Sequence, residues 1–79
     1  MTLSKAVAER IDELLQKAGI SQYRLSMMSG VTQSSISDLR SQKNQKPNLY
    51  HIYQICDGLG ISLTEFFNSP LFVRENITD

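Results

Sequence analysis

Apolar residues recur along this chain at helical spacing and almost nowhere at strand spacing, and that period limits the fold more than any other feature. Val7, Ile11, Leu14, Leu15 and Ala18 fall at i, i+4, i+7, i+8 and i+11, a core-facing stripe closed by Gly19. Ser4 is placed to cap the start of this helix. Ser21 caps a short second helix with Leu25 and Met28 inward, and Gly30 stands where a left-handed C-terminal residue is expected. Thr32 caps a third helix, with Ile36 and Leu39 inward. After the polar loop SQKNQK, Pro47 sets up Asn48 as the cap of a fourth helix that buries Leu49, Ile52, Ile55, Cys56 and Leu59. SLTE at 62–65 is a capping box opening a short fifth helix with Phe66 and Phe67, and Pro70 ends it. With no repeat, no low-complexity tract and no β alternation longer than a few residues, the expected fold class is all-α, five short helices in one bundle.

A chain of 79 residues supports one domain with one modest core, which leaves little room for a multi-step active site. Ser, His and Asp are present, but no spacing pairs a nucleophile with a base, so neither catalysis nor a cofactor is expected. Cys56 is the single cysteine; it excludes an internal disulfide, has no Cys or His cluster around it for zinc, and reads as a small core residue in a reducing compartment. His51 reads as a surface residue rather than a metal ligand, so no metal is expected. Met27 and Met28 are assigned to core and gap filling, and Tyr50 and Tyr53, at the edge of the buried stripe, to partial burial. The N-terminal MTLSKAVAERIDELLQKAG is amphipathic, and no run reaches the roughly 20 apolar residues of a membrane span. These features predict a soluble, cytoplasmic chain with no membrane partner.

The net charge of zero hides an asymmetry. From Gln22 to His51, Arg24, Arg40, Lys43 and Lys46 stand against Asp38 alone, a net +3, and the remainder carries −3. One-sided positive charge suits a polyanionic partner. Within that segment, at about 100° per residue, the third helix turns Ile36 and Leu39 to one side and Gln33, Ser34, Ser37, Asp38 and Ser41 to the other, with Arg40 at the edge. A surface helix that needs only solubility is better served by Lys and Glu. Side chains that both donate and accept hydrogen bonds are what reading base edges requires, and Gln can match adenine with two bonds.

The run ISQYRLSMMSGVTQSSISDL resembles the helix-turn-helix core of the Cro/repressor class of phage and bacterial regulators, the XRE-like family, and the similarity continues through KPNLYHIYQICDGLGISLTEFF, covering residues 7–68. The resemblance implies a five-helix, lambda-repressor-like DNA-binding domain over residues 1–69. Helix two would lie across the DNA backbone and helix three would enter the major groove. Residue by residue, it implies that Gln22 contacts phosphate and braces the recognition helix, and that Gln33, Ser34 and Asp38 contact bases, with Ser37 between them. It also implies that Lys43, Asn44 and Lys46 belong to the loop that grips phosphate beside the fourth helix. Thr32 and Arg40 complete the expected DNA-binding set. Two departures stand out: Arg40 occupies a position that is frequently acidic in the family, and Gln42 one that is often Gly, which predicts a longer or frayed exit from helix three. Asp38 on the working face would repel phosphate unless it accepts from cytosine N4.

The expected function is a sequence-specific regulator, a repressor, reading a double-stranded DNA operator as a homodimer, because one such module buries limited surface. The C-terminal tail, 70–79, carries Leu71, Phe72 and Val73 in succession, and with Phe67 these are the expected two-fold contact. The alternative is that Leu71 and Phe72 fold back beside Phe66. A rival reading of the whole chain is a protein-interaction module, such as an antitoxin or an accessory subunit with weak DNA binding, favoured by the small positive charge and by Asp38.

Overall fold

Each α-helix begins at a short polar side chain that accepts a backbone N–H, satisfying one of the donors that a helix start leaves without a partner. The computed structural model describes residues 1–43 and 46–79. In it Thr2 accepts from Lys5 before α1 (Leu3–Ala18), Ser21 from Arg24 before α2 (Gln22–Ser29), and Thr32 from Ser35 before α3 (Gln33–Ser41). Asn48 accepts from His51 before α4 (Leu49–Leu59), and Ser62 from Glu65 before α5 (Leu63–Phe67), where the Glu65 carboxylate returns to the Ser62 N–H and completes the expected box. Only the first cap differs from expectation: α1 starts at Leu3, so Ser4 lies inside the first turn, buried, and Thr2 does the capping. Among the described residues there is no strand, and no helix is long and apolar enough to cross a membrane.

The bundle packs α1 against α3 and α2 against α4, and one cluster fills the space between: Val7, Ile11, Leu14 and Leu15, then Leu25, Val31, Ile36 and Leu39, then Ile52, Ile55, Cys56 and Phe66. Several expected core residues lie outside it. Ala18 is exposed at the last turn of α1, and Leu49 is 61% exposed at the first turn of α4, one turn ahead of Ile52, where the stripe outruns the elements beneath it. Met27 and Met28 are exposed as well. Beside Met28, in α4, a Cβ on Gly58 would stand 2.8 Å from Ser29 Cα and 3.0 Å from the Met28 carbonyl carbon. The two helices meet there backbone to backbone, and a methionine side chain has no space between them. Tyr50 and Tyr53 are exposed and stack on each other, centroids 6.1 Å apart.

Helix α3 ends cleanly at Ser41, with Gln42 in the left-handed conformation at φ 59° and its N–H bonded to Asp38 O. The expected fraying is therefore absent, and the strain of a side chain at positive φ takes its place. Helix α5 ends at Phe67 before Pro70 is reached, and Pro70 instead opens a 3₁₀ turn, Pro70–Phe72, followed by a second, Arg74–Asn76. Phe72 folds back on the bundle: its ring lies 4.9 Å from that of Phe67 and 6.0 Å from that of Phe66, while Leu71 is half-buried and Val73 exposed. The Thr78 N–H donates to Met1 O at 2.9 Å and Asp79 accepts the Leu3 N–H, drawing residues 70–79 against the start of α1. The short α5 is tied down by Arg10, whose Nε donates to Phe66 O at 2.6 Å and Nη2 to Glu65 O at 2.8 Å. Those carbonyls belong to the last turn of the helix, where Glu65 O also accepts the Asn68 N–H at 3.3 Å.

Candidate nucleic-acid interface

The connection between α2 and α3 is built from three small residues. Gly30 takes φ 76° and donates its N–H to Ser26 O; the Ser26 hydroxyl donates to Val31 O at 2.6 Å; and the Val31 N–H donates to Ser29 Oγ at 3.2 Å. Val31 itself is buried, which pins the turn to the core. Thr32 then spends its hydroxyl on the start of α3, accepting the Ser35 N–H and donating to Ser35 Oγ at 3.0 Å. Its observed role is therefore that of a cap.

Helix α3 stands on Ile36 and Leu39, both buried, and turns Gln33, Ser34, Ser37 and Ser41 to solvent. These four carry no charge and offer both donors and acceptors. Asp38 is half-buried and lines a cleft of about 150 Å³ between α3 and the start of α4, with Ser35, Leu39, Lys46, Pro47, Asn48 and His51. Lys43 and Lys46 are exposed, and Asn44 lies outside the described residues.

Behind this face Gln22 Nε2 donates to Gln33 O at 3.3 Å, a bracing contact from the first residue of α2 to the first of α3. Gln22 Oε1 in turn accepts from Arg40 Nη1 at 3.0 Å, and Arg40 Nε donates to Asp12 Oδ1 of α1 at 2.7 Å. Arg40, expected at the edge of the DNA-facing surface, is thus engaged toward α1 and α2. Its partner Asp12 comes from the acidic remainder of the chain, so the ion pair joins the two sides of the charge asymmetry and the positive excess on the surface is smaller than the segment sum.

Elsewhere the chemistry is quiet. Burial pushes the Cys56 thiol up from its ordinary pKa, so it stays protonated at neutral pH and is no nucleophile. Among the described residues no group of His, Cys, Asp and Glu is arranged to hold a metal ion. Two features of the site escape the sequence reading. The Asp12–Arg40 pair spans 28 positions and leaves no local signal. Gly58 does leave one, since a lone glycine inside a helical pattern costs stability unless something must come close.

The family model described as the Cro/C1-type HTH DNA-binding domain matches residues 10–70, from the first half of α1 to the first 3₁₀ turn. Two similar proteins are the HTH-type transcriptional regulator PuuR of Escherichia coli (strain K12) and that of Shigella flexneri, each 35% identical over 65 residues, which is 82% of this chain and 35% of the relative. The chain thus spans about a third of the length of these curated relatives. No solved structure gives a significant match. Because the matched segment includes both helices of the turn, the core beneath them and the elements that brace them, the chain belongs to the Cro/C1-type helix-turn-helix DNA-binding domain family.

Proposed function

We propose that this chain is a sequence-specific DNA-binding transcriptional regulator, a cytoplasmic repressor, that reads the major groove with α3 and binds its operator as a two-fold homodimer. The observation that carries the reading is the outer face of α3, where Gln33, Ser34, Ser37 and Ser41 are exposed together while Ile36 and Leu39 anchor the opposite side. A neutral face of donors and acceptors discriminates base edges in a way that a row of lysines does not. Gln22, Lys43 and Lys46 would hold phosphate on either side, and Asp38, set back in its cleft, would reach only a cytosine amino group. The matched relatives carry the name of transcriptional regulators, which fits.

The size of the molecule is compatible with a dimer. The longest dimension of the molecule is 34 Å, about one helical turn of DNA (~34 Å), so one copy would cover one half-site and a second copy the other. The contact would use Val73 with the outer faces of Phe67, Leu71 and Phe72; Phe67, Phe72 and Val73 border a hollow of about 410 Å³. An electrophoretic mobility shift with mixed-sequence duplex at low salt, then with the DNA upstream of the gene, tests the reading. Retardation of both, tighter for the upstream segment, is expected; retardation of neither hands the surface to the protein-interaction reading.

A further inference from the structure

We propose that Arg40 is a positioning residue that sets which end of the Gln22 amide faces the DNA backbone, an inference that rests on the DNA-binding reading above. The orientation follows from the chemistry of the partners. A guanidinium only donates, so the Gln22 atom 3.0 Å from Arg40 Nη1 is the oxygen; a backbone carbonyl only accepts, so the Gln22 atom 3.3 Å from Gln33 O is the nitrogen. Both bonds oppose the flipped amide, which would set oxygen against oxygen and N–H against N–H, and the bond from Arg40 is the shorter and, being charge-assisted, the stronger of the two. Asp12 Oδ1, 2.7 Å from Arg40 Nε, keeps the fork from swinging toward solvent, which the 34% exposure of the Arg40 side chain would otherwise allow. One N–H of Gln22 then joins α2 to α3 and leaves the second to a phosphate oxygen. A reversed amide would offer phosphate a carbonyl oxygen, and the contact would become repulsive. Lysine is a poor substitute, because its three donors radiate from one freely rotating atom, whereas Arg40 meets Asp12 and Gln22 through two nitrogens held apart in a rigid plane.

The test compares the full chain with Arg40→Met, Arg40→Lys and the exchanged pair Asp12→Arg with Arg40→Asp. The exchanged pair keeps an ion pair between α1 and α3, and so guards the fold, but puts no donor against Gln22 Oε1. Two readouts are taken: the side-chain amide signals of Gln22 in ¹⁵N-labelled protein, and binding to a mixed-sequence duplex across a salt series. In all three variants the two Gln22 amide protons should move toward the positions of free glutamine, and duplex affinity should fall about three- to tenfold, the loss of one neutral hydrogen bond. The slope of log K against log salt should stay as it is in Arg40→Met, because a glutamine contact releases no counterion, whereas Lys43→Ala should flatten it by about one unit. Unmoved Gln22 signals in the variants overturn the proposal. A slope flattened by about one unit in Arg40→Met also overturns it, since Arg40 would then contact phosphate itself. If the unaltered chain binds no duplex, the DNA-binding reading fails, and the Gln22 signals still decide whether Arg40 orients the amide.

Discussion

Gln33 carries an observed contact on its backbone and, in the proposed reading, a second one on its side chain. Its backbone carbonyl takes the Gln22 brace, and its side chain, exposed on the first turn of α3, is free to meet a base edge. Gln33→Ala keeps the carbonyl and removes only the second function. We expect it to weaken binding to the specific operator by about 1–3 kcal/mol and to relax preference at one base position, measured by titration against single-position operator variants. Equal losses on specific and mixed-sequence DNA would mean that the side chain reads nothing. Gln42 is a residue whose side chain works against its backbone. At φ 59° it occupies a region that costs a non-glycine residue about 1 kcal/mol, while its N–H closes α3 on Asp38 O. Gln42→Gly should therefore raise stability, by somewhat less than about 1 kcal/mol once the greater freedom of the unfolded glycine is counted. Urea denaturation followed by circular dichroism checks it; a lower midpoint would show that the glutamine side chain makes an interaction worth more than the strain.

At the scale of elements, the helix-turn-helix is held from behind by α4. Gly58 brings the α4 backbone onto Ser29 and Met28, the last residues of α2, directly before the turn at Gly30. Inside an ordinary exposed helix, Gly→Ala gains about 1 kcal/mol. Here the added methyl would stand 2.8 Å from Ser29 Cα, and backbone on both sides cannot rotate out of the way. The overpacking cost of about 1–3 kcal/mol outweighs the propensity gain, so Gly58→Ala should destabilise the protein and loosen the α2–α3 geometry. A fall in thermal midpoint together with weaker duplex binding is the expected pair of results; a rise in midpoint would show that the helices separate at little cost.

For the whole molecule, residues 70–79 serve the bundle before they serve any partner. Phe72 completes an aromatic group with Phe66 and Phe67, and its removal should be felt by the fold, whereas Val73 is exposed and its removal should not. We expect Phe72→Ala to cost about 2 kcal/mol of stability, below the range for a fully buried phenylalanine because the residue is only partly buried. Val73→Asp should leave stability nearly unchanged and shift sedimentation equilibrium toward monomer. If Val73→Asp sediments as the unaltered chain does, the two-fold contact lies elsewhere on the surface.

Most of the architecture is written in interactions that reach only three or four residues, and these are legible in the sequence by itself. Side-chain oxygens at Ser21, Thr32, Asn48 and Ser62 each meet an N–H three positions on, and the stripes of α1, α3 and α4 follow from the helical period alone. The neutral outer face of α3 is legible for the same reason, as geometry internal to one helix. What the period cannot state is whether another element lies over a given face. Leu49, Met28 and Phe72 look alike as apolar residues on short helices or beside them, and only the tertiary packing leaves two exposed and covers the third. The same limit hides Arg40. Its place at the edge of α3 is a matter of helical geometry, but whether it turns outward to phosphate or inward to Asp12 depends on how α1 crosses α3, a relation between segments 28 residues apart that exists only once the core between them has closed.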